Sequence, residues 1–319
     1  MEENNTSRRS FLKKFGLGIG AIGAVSGLGI LSSCTDDNEK VKVLTLDGKL
    51  VEVSKSKLKV DSKEIAKRGR EGMPGKKWVM VIDLAKCRNA RKCMAACQGA
   101  HELKPEQHHI NVLRMQKDEQ SAPYFMPKPC QHCDNPPCTK VCPVDATFKR
   151  SDGIVLIDNE RCIGCRFCIA ACPYSARVFN WSDPKVVEDP NKTRIYDVEK
   201  NVPQKKGTIS KCLFSADRLR IGQLPYCVSA CPNSVYWFGN ALEDSVTNGT
   251  SKETRRLSEL LKENDAYTLM PELGTKPSVY YLPAKDRLFP YEYDETKDKY
   301  ENLIKQENGE YAFPAETQE

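Results

Sequence analysis

Short apolar runs that end in aspartate recur along this chain, and each leads into a group of cysteines. Trp78 to Asp83 precedes Cys87, and Ile154 to Asp158 precedes Cys162. A compact apolar run of this kind predicts a short buried strand. The repetition of strand, aspartate and cysteine group indicates internal duplication of one small unit.

Three other stretches carry simpler patterns. Val41 to Val53 alternates apolar and polar residues around Asp47-Gly48, which predicts a small hairpin. Leucines stand at helical spacing within residues 251–264, which predicts a surface helix. Residues 183–208 are rich in Lys, Asp, Asn and Pro and predict an exposed loop, whereas the tail from Pro271 has no regular period and is expected to wrap the core or a partner.

The N-terminal segment predicts export. Ser7 to Lys13 contains paired arginines, and Phe15 to Leu31 is a weakly apolar stretch with six glycines. This pattern is typical of a twin-arginine signal, and the glycines make the alternative, a membrane anchor helix, a weak one. Leu31-Ser32-Ser33-Cys34 resembles a lipobox, so we expect Cys34 to be lipidated at an extracytoplasmic membrane face; the alternative is a stray thiol.

Composition and charge set limits on function. Of 319 residues, 39% are hydrophobic and 29% charged, so the apolar core is lean and bound metal is expected to add folding free energy. The net charge of +6 is spread without a long basic block, which gives no support for nucleic-acid binding. We divide the chain into a signal at 1–33, a linker with a small hairpin at 34–76, a cysteine-rich domain at 77–240 and a C-terminal extension at 241–319.

Fourteen of the fifteen cysteines form four groups, and Cys34 is the fifteenth. Two groups are complete: Cys130, Cys133, Cys138 and Cys142; Cys162, Cys165, Cys168 and Cys172. Two have three members each: Cys87, Cys93 and Cys97, with Ala90 in the gap; Cys212, Cys227 and Cys231, with Ser215 in the gap. The C-x2-C-x2-C-x3-C-P spacing that begins at Cys162 is typical of cubane iron-sulfur clusters, which transfer electrons.

Two other uses of cysteine fit less well. Exported proteins usually form disulfides, but cysteines two and three residues apart are poor disulfide partners and good ligands for one site. Structural zinc also uses paired cysteines, yet zinc sites do not require the Cys-Pro endings at Cys142, Cys172 and Cys231.

The order of these groups resembles that of the four-cluster iron-sulfur subunits of complex molybdoenzymes, of the dimethyl sulfoxide reductase, polysulfide reductase and formate dehydrogenase kind. The resemblance covers Trp78 to Phe238, and its specific parts include Lys211-Cys212 and Cys227 to Pro232. It implies an α+β fold of tandem ferredoxin-like units, two dicluster modules with loop-rich insertions and a C-terminal extension.

In that family, three cysteines of one group share a cluster with the fourth cysteine of its partner group. Carried over, the resemblance implies two inner 4Fe-4S clusters, one on Cys130, Cys133, Cys138 and Cys172, the other on Cys162, Cys165, Cys168 and Cys142. It implies two outer clusters with three thiolates each, one on Cys87, Cys93 and Cys231, the other on Cys97, Cys212 and Cys227.

The two outer sites depart from the family pattern in different ways. Ala90 cannot ligate iron, so we expect a 3Fe-4S cluster at that end. Ser215 can offer an oxygen, so that end is expected to hold either a 3Fe-4S or a 4Fe-4S cluster. Loss of an outer cluster is the remaining alternative.

The resemblance implies an electron-transfer subunit rather than an enzyme, with no catalytic residues of its own. Its expected partners are a catalytic oxidoreductase subunit of molybdopterin type and an integral membrane subunit that binds quinone. The alternatives are a component of an alternative complex III-like or sulfite-reducing complex and, with less support, a stand-alone reductase.

Other side chains near the cysteines have weaker assignments. His132, inside a group, is either a hydrogen-bond donor near a cluster or a loop histidine on the solvent side, and His101, His108 and His109 are expected at the surface. Four aromatic residues are expected either to shield clusters from water or simply to pack: Tyr174, Phe179, Trp181 and Trp237.

Overall fold

The computed structural model describes residues 40–44, 50–54, 62–116, 122–183 and 195–285. It divides the chain into two compact units, residues 1–59 and 60–319. The export signal, Cys34 and the tail from residue 286 lie outside the described residues. Among the residues that are described, no helix has the length and apolar character needed to cross a membrane.

The first unit contains the predicted hairpin strands. Strand β1 (Lys40–Leu44) pairs antiparallel with β2 (Leu50–Ser54), with Val41 opposite Val53 and Val43 opposite Val51. The alternating pattern thus predicted both strands, while Asp47-Gly48 lies outside the described residues.

The second unit consists of short strands and short helices joined by cysteine-bearing loops. Its strands are β3 (Trp78–Asp83), β4 (Ile110–Met115), β5 (Tyr124–Pro129), β6 (Thr147–Lys149), β7 (Val155–Ile157), β8 (Arg177–Phe179), β9 (Ile209–Lys211), β10 (Tyr236–Asn240), β11 (Ser245–Asn248), β12 (Thr254–Arg256) and β13 (Val279–Leu282). Its α-helices are α1 (Ser62–Glu71), α2 (Lys92–Ala100), α3 (Pro137–Lys140), α4 (Phe167–Ala170), α5 (Ala216–Arg220), α6 (Tyr226–Ala230) and α7 (Leu257–Glu263). Short 3-10 turns lie at Leu84–Lys86, Ala241–Glu243 and Pro271–Leu273.

Strand β3 lies inside a five-stranded sheet of order β12-β11-β10-β3-β13. It pairs antiparallel with β10 and parallel with β13. Because side chains alternate along a strand, Met80 and Ile82 enter the core that contains the outer cysteines, whereas Val79 and Val81 enter a second core with Trp237. The predicted buried strand is therefore buried on both faces.

The sheet continues past the expected boundary at residue 240. Strands β11, β12 and β13 all belong to it, so residues 245–282 contribute to the same sheet as the cysteine-rich segment. The expected helix within 251–264 begins only at Leu257, because Thr254–Arg256 pairs with β11 as a strand. Leu257 and Leu260 cover the second core, as leucines at helical spacing predict.

Four antiparallel strand pairs alternate with the four cysteine groups. The pair β4-β5 separates the first group from the second, β6-β7 the second from the third, and β8-β9 the third from the fourth. The pair β10-β3 joins the end of the fourth group to the start of the first. Each group is thus held between the ends of short strands.

The described part of the predicted loop at 183–208 is only partly exposed, and several of its residues are buried. Val198, Val202 and Asn201 are buried, and the Glu199 carboxylate accepts hydrogen bonds from the Arg150 and Arg220 guanidinium groups. The polar composition that predicted exposure belongs in part to a buried ion network. Residues 184–194 lie outside the described residues.

Helix α1 occupies part of the predicted linker and packs within the second unit. Arg70 lies over the Phe148 ring at 4.1 Å and donates to Asp145 Oδ2 at 3.1 Å. A Cβ at Gly69 would meet Val198 Cγ1 at 2.1 Å, so only glycine permits this approach. The segment before Trp78 therefore helps to build the domain.

Candidate iron-sulfur sites

Two of the expected ligand sets line two separate cavities. One cavity, of about 280 Å³, is lined by Cys142, Cys162, Cys165 and Cys168. The other, of about 330 Å³, is lined by Cys130, Cys133, Cys138 and Cys172. Each cavity takes three cysteines from one group and the fourth from the other, which is the exchange that the family resemblance implies. The donor sets fit 4Fe-4S clusters, which are held by four thiolates.

The backbone turns in the same way inside all four groups. In each, the second residue after the first cysteine has a positive φ: 59° at Asn89, 41° at His132, 71° at Gly164 and 52° at Phe214. A turn into the left-handed region brings a following side chain back toward the first cysteine. At Gly164, a Cβ would meet the Gly207 carbonyl oxygen at 2.0 Å, so glycine is required there for space as well.

The three Cys-Pro endings share a second turn. The third residue after the cysteine again has a positive φ, at Asp145 (49°), Ser175 (49°) and Ser234 (54°). After Cys142 this turn directs two backbone N–H groups at the sulfur, from Ala146 at 3.2 Å and Thr147 at 3.5 Å. Backbone donors of this kind stabilise negative charge on sulfur and tune the potential of a bound cluster.

The first outer site contains Cys87, Cys93 and Cys231. Burial, with smaller contributions from the neighbouring Cys93 and Cys231, raises the pKa of Cys87 to about 12. Burial also raises the pKa of Cys93, to about 11, while the neighbouring Tyr236 hydroxyl opposes the shift. Cys87 and Cys93 are therefore neighbours of each other and of Cys231.

Ala90 occupies a loop with the same backbone form as the loop around Cys165. Asn89 (φ 59°) and Arg91 (φ 52°) flank Ala90, just as Gly164 (φ 71°) and Arg166 (φ 65°) flank Cys165. Each arginine then caps the N-terminus of a helix, α2 or α4, that carries the next cysteine. The loop is retained at Ala90, and only the sulfur is missing.

The second outer site contains Cys97, Cys212 and Cys227. All three are buried, and burial raises the pKa of Cys227 well above its ordinary value, with further contributions from Cys212 and Cys97. Ser215 is buried as well, and its Oγ accepts a hydrogen bond from the Tyr226 N–H at 3.1 Å. This bond ties the start of α5 to the helix that carries Cys227.

Raised thiol pKa values are what burial without metal produces. A desolvated thiolate is unfavourable, so these thiols hold their protons until a cation offsets the charge. A bound iron centre reverses that balance, because coordinating thiols are deprotonated. The raised pKa values therefore apply to these thiols only in the absence of iron.

Two buried cations near the inner sites were missed by the sequence reasoning. Burial alone would lower the pKa of Arg177, but Cys138, Cys168 and Cys130 raise it overall, so the guanidinium faces sulfurs of both cavities. Lys211 is fully buried, and its ammonium donates to the carbonyls of Val155 and Cys212. Their positions, five residues after Cys172 and directly before Cys212, were the only sequence signals.

The histidines do not lie where the sequence placed them. His101 and His109, expected at the surface, are 1% and 3% exposed. His132 is not on the solvent side: it is fully buried, stacks on Phe214 at 3.7 Å, and its Nδ1 accepts the Val155 N–H at 3.1 Å. These histidines belong to no periodic apolar pattern, so the sequence could not reveal their burial.

The four aromatic residues divide between the two expected roles. Tyr174 is buried and lines the cavity of Cys172. Trp237 packs in the second core, on the sheet face away from the outer cysteines, so it serves packing. Trp181 is 67% exposed and lies under Arg166 at 4.1 Å, beside Phe179. Shielding therefore fits Tyr174 and not the two tryptophans.

Comparisons with known proteins agree with this site. A family model described as a 4Fe-4S dicluster domain matches residues 121–189, which contain the eight inner cysteines. A subunit of selenate reductase from Mesobacillus selenatarsenatis is 36% identical over 305 residues, covering 88% of this chain and 98% of the relative. A subunit of tetrathionate reductase from Salmonella typhimurium is 32% identical, covering 82% of this chain and 92% of the relative.

A further relative is linked to quinone by its name. The iron-sulfur cluster-binding subunit of menaquinone reductase from Nitratidesulfovibrio vulgaris is 36% identical, covering 66% of this chain and 90% of the relative. The chain belongs to the family of iron-sulfur electron-transfer subunits of oxidoreductase complexes.

Proposed function

We propose that this chain passes electrons through four iron-sulfur clusters between a molybdopterin-type catalytic subunit and a quinone-linked membrane subunit. Bound clusters of this type accept and release single electrons over a wide range of potentials. The observation that carries the proposal is the sorting of the eight inner cysteines into two cavities with exchanged fourth members. The names of relatives that reduce selenate, tetrathionate or menaquinone support a place in a respiratory complex.

The inner clusters are 4Fe-4S, held by the four cysteines that line each cavity. The cluster on Cys87, Cys93 and Cys231 is 3Fe-4S, because the Ala90 loop has the cluster-binding form without a ligand. The cluster on Cys97, Cys212 and Cys227 lies at the opposite end of the series of four clusters. The shared loop turns support a tandem ferredoxin-like duplication, in which four equivalent groups arose from one unit.

We also propose that the chain is exported by the twin-arginine route and anchored through a lipid on Cys34. Folded export suits a protein that receives its clusters before it leaves the cytoplasm. A lipid on Cys34 would hold the domain near a quinone-linked membrane partner. The polar stretch after Cys34 would act as the tether.

The partners can be tested in membranes from a host that produces the affinity-tagged full chain. We expect a molybdopterin subunit and an integral membrane subunit to co-purify with the chain, and a reduced menaquinone analogue to reduce its clusters, detected by EPR. A Cys162→Ala chain is the matched control and should lose rapid reduction. Co-purification with multihaem cytochromes instead of a molybdopterin subunit would refute the proposed catalytic partner.

A further inference from the structure

Two histidines lie beside one outer thiol. Ligand atoms of Cys97, His101 and His109 lie within 4.8 Å of one another, and all three residues are buried. Cys97 and His101 stand one turn apart at the end of α2, so their side chains share a face of that helix. His109 is the residue directly before β4.

Burial disfavours the charged form of both imidazoles. Burial lowers the pKa of His101, and burial lowers that of His109 well below its ordinary value, with nearby His101 and Lys211 adding to the effect. A neutral imidazole keeps a lone pair on one ring nitrogen, which is the form that binds metal. Protonated histidines would not offer that lone pair.

The two rings differ in how their nitrogens are satisfied. His101 Nδ1 lies 2.7 Å from the Lys200 carbonyl oxygen, which can only accept, so Nδ1 carries the proton. Neither ring nitrogen of His109 has a hydrogen-bond partner among the described residues. A buried nitrogen without a partner costs free energy, so both ring nitrogens of His109 call for a partner.

The same site lacks one thiolate. His109 lies within 4.8 Å of the Cys97 sulfur, and Cys97 is assigned with Cys212 and Cys227 to the outer group in which Ser215 replaces the fourth cysteine. The Ser215 oxygen already accepts the Tyr226 N–H. The site thus lacks one cysteine ligand, and beside it lies the buried imidazole of His109, which has no hydrogen-bond partner among the described residues.

We propose that an imidazole nitrogen of His109 is the fourth protein ligand of the cluster held by Cys97, Cys212 and Cys227. The set of three thiolates and one imidazole completes a 4Fe-4S cluster at the end opposite Ala90. His101, whose ring centroid lies 5.3 Å from that of His109, packs beside the ligand and positions it. This inference rests on the proposed assignment of the three cysteines to one cluster.

An imidazole ligand alters the site in a defined direction. Replacing a thiolate by a neutral nitrogen removes one negative charge from the cluster and its ligands, and His₂ ligation raises the potential of Rieske centres. The cluster on Cys97 is therefore expected to have a higher potential than the same site with cysteine at position 215. The two outer clusters would then differ in potential from the inner pair for separate reasons: a missing ligand at Ala90 and an imidazole ligand at the other site.

Pulsed EPR of the reduced full chain, purified anaerobically with its clusters, tests the ligand directly. Directly bound imidazole gives a strong nitrogen hyperfine coupling, and we expect that coupling to change when histidine carries the heavy nitrogen isotope. His109→Phe keeps an aromatic ring in the cavity and should abolish the coupling, with a loss of about one iron per chain as the cluster falls to 3Fe-4S. His108→Phe, next along the chain and half-buried, is the matched control and should change neither signal.

A second variant separates ligation from packing. His109→Phe combined with Ser215→Cys should regain the lost iron without regaining the nitrogen coupling, because a thiolate then fills the fourth position. An isotope label without effect on the wild-type spectrum would overturn the proposal even if His109→Phe failed to fold. A coupling that disappears in His101→Phe but persists in His109→Phe would overturn it as well. The inner-cluster signals report the proposed function independently, so either idea can fail alone.

Discussion

Iron removal is expected to unfold the domain between residues 62 and 285, with loss of most of its far-UV circular dichroism. The core that contains Met80 and Ile82 also contains six cysteines: Cys87, Cys93, Cys97, Cys212, Cys227 and Cys231. The outer clusters are therefore expected to be part of the hydrophobic core as well as carriers of electrons.

Iron removal is expected to have a large effect on the free energy of unfolding. Structural metal sites contribute about 10–16 kcal/mol to folding in zinc-finger peptides, which is comparable to the whole net stability of an ordinary domain, about 5–15 kcal/mol. Loss of all four clusters together is therefore expected to unfold a lean domain. Chelation under denaturing conditions followed by return to buffer, monitored by circular dichroism and limited proteolysis, measures the effect.

The matched control is the same sample after anaerobic reconstitution with iron and sulfide, which should regain the spectrum and resist protease. Reconstitution with zinc is the second control and should not restore the native spectrum. An iron-free chain that melts cooperatively with native circular dichroism would contradict the structural role of the clusters.

Arg177→Met is expected to lower the reduction potentials of both inner clusters by roughly 60 mV or more, a tenfold change in the equilibrium constant of a one-electron couple. Burial works against the Arg177 charge, and Cys138 and Cys168, one from each inner cavity, hold its pKa above the ordinary value. Arg177 also donates to Thr147 Oγ1 at 3.1 Å, which fixes the guanidinium. Removing a buried positive charge makes an added electron less favourable on both sides of it.

An EPR-monitored redox titration of the loaded chain measures this shift. Arg177→Lys keeps the charge and should lie between wild type and Arg177→Met. Arg256→Met removes an exposed arginine in β12 and should leave the potentials unchanged. Inner-cluster potentials that do not move in Arg177→Met would show that the charge has no electrostatic role; a chain that loses both inner clusters would show that Arg177 is needed for assembly instead.

The cysteine spacing was the part of the sequence that predicted most, because short-range geometry follows from short-range spacing. Cysteines two and three residues apart must share a turn, and the exchange of Cys142 and Cys172 between the cavities follows from the family resemblance. The strands Trp78–Asp83 and Val155–Ile157 were predictable because continuous apolar runs need burial on both faces. Both signals are local.

Long-range placement was not predictable. Strand β13 pairs with β3 across about two hundred residues, and nothing in Val279–Leu282 names its partner. Arg177 and the buried histidines carry polar side chains whose burial depends on distant segments rather than on a local pattern. The polar segment 195–208 was assigned to the surface because a charged residue such as Glu199 is rarely buried unless paired, and its partners are remote in sequence.

The central claim is that four clusters of unequal type are bound by this one chain. Mössbauer spectroscopy and iron analysis of the anaerobically purified, iron-enriched full chain should give about 15 iron atoms per chain, with one 3Fe-4S cluster that Ala90→Cys converts to 4Fe-4S. Ala241→Cys, outside the cysteine groups, should leave the spectrum unchanged. About eight iron atoms in two clusters, or no 3Fe-4S signal in the oxidised wild-type chain, would contradict the account.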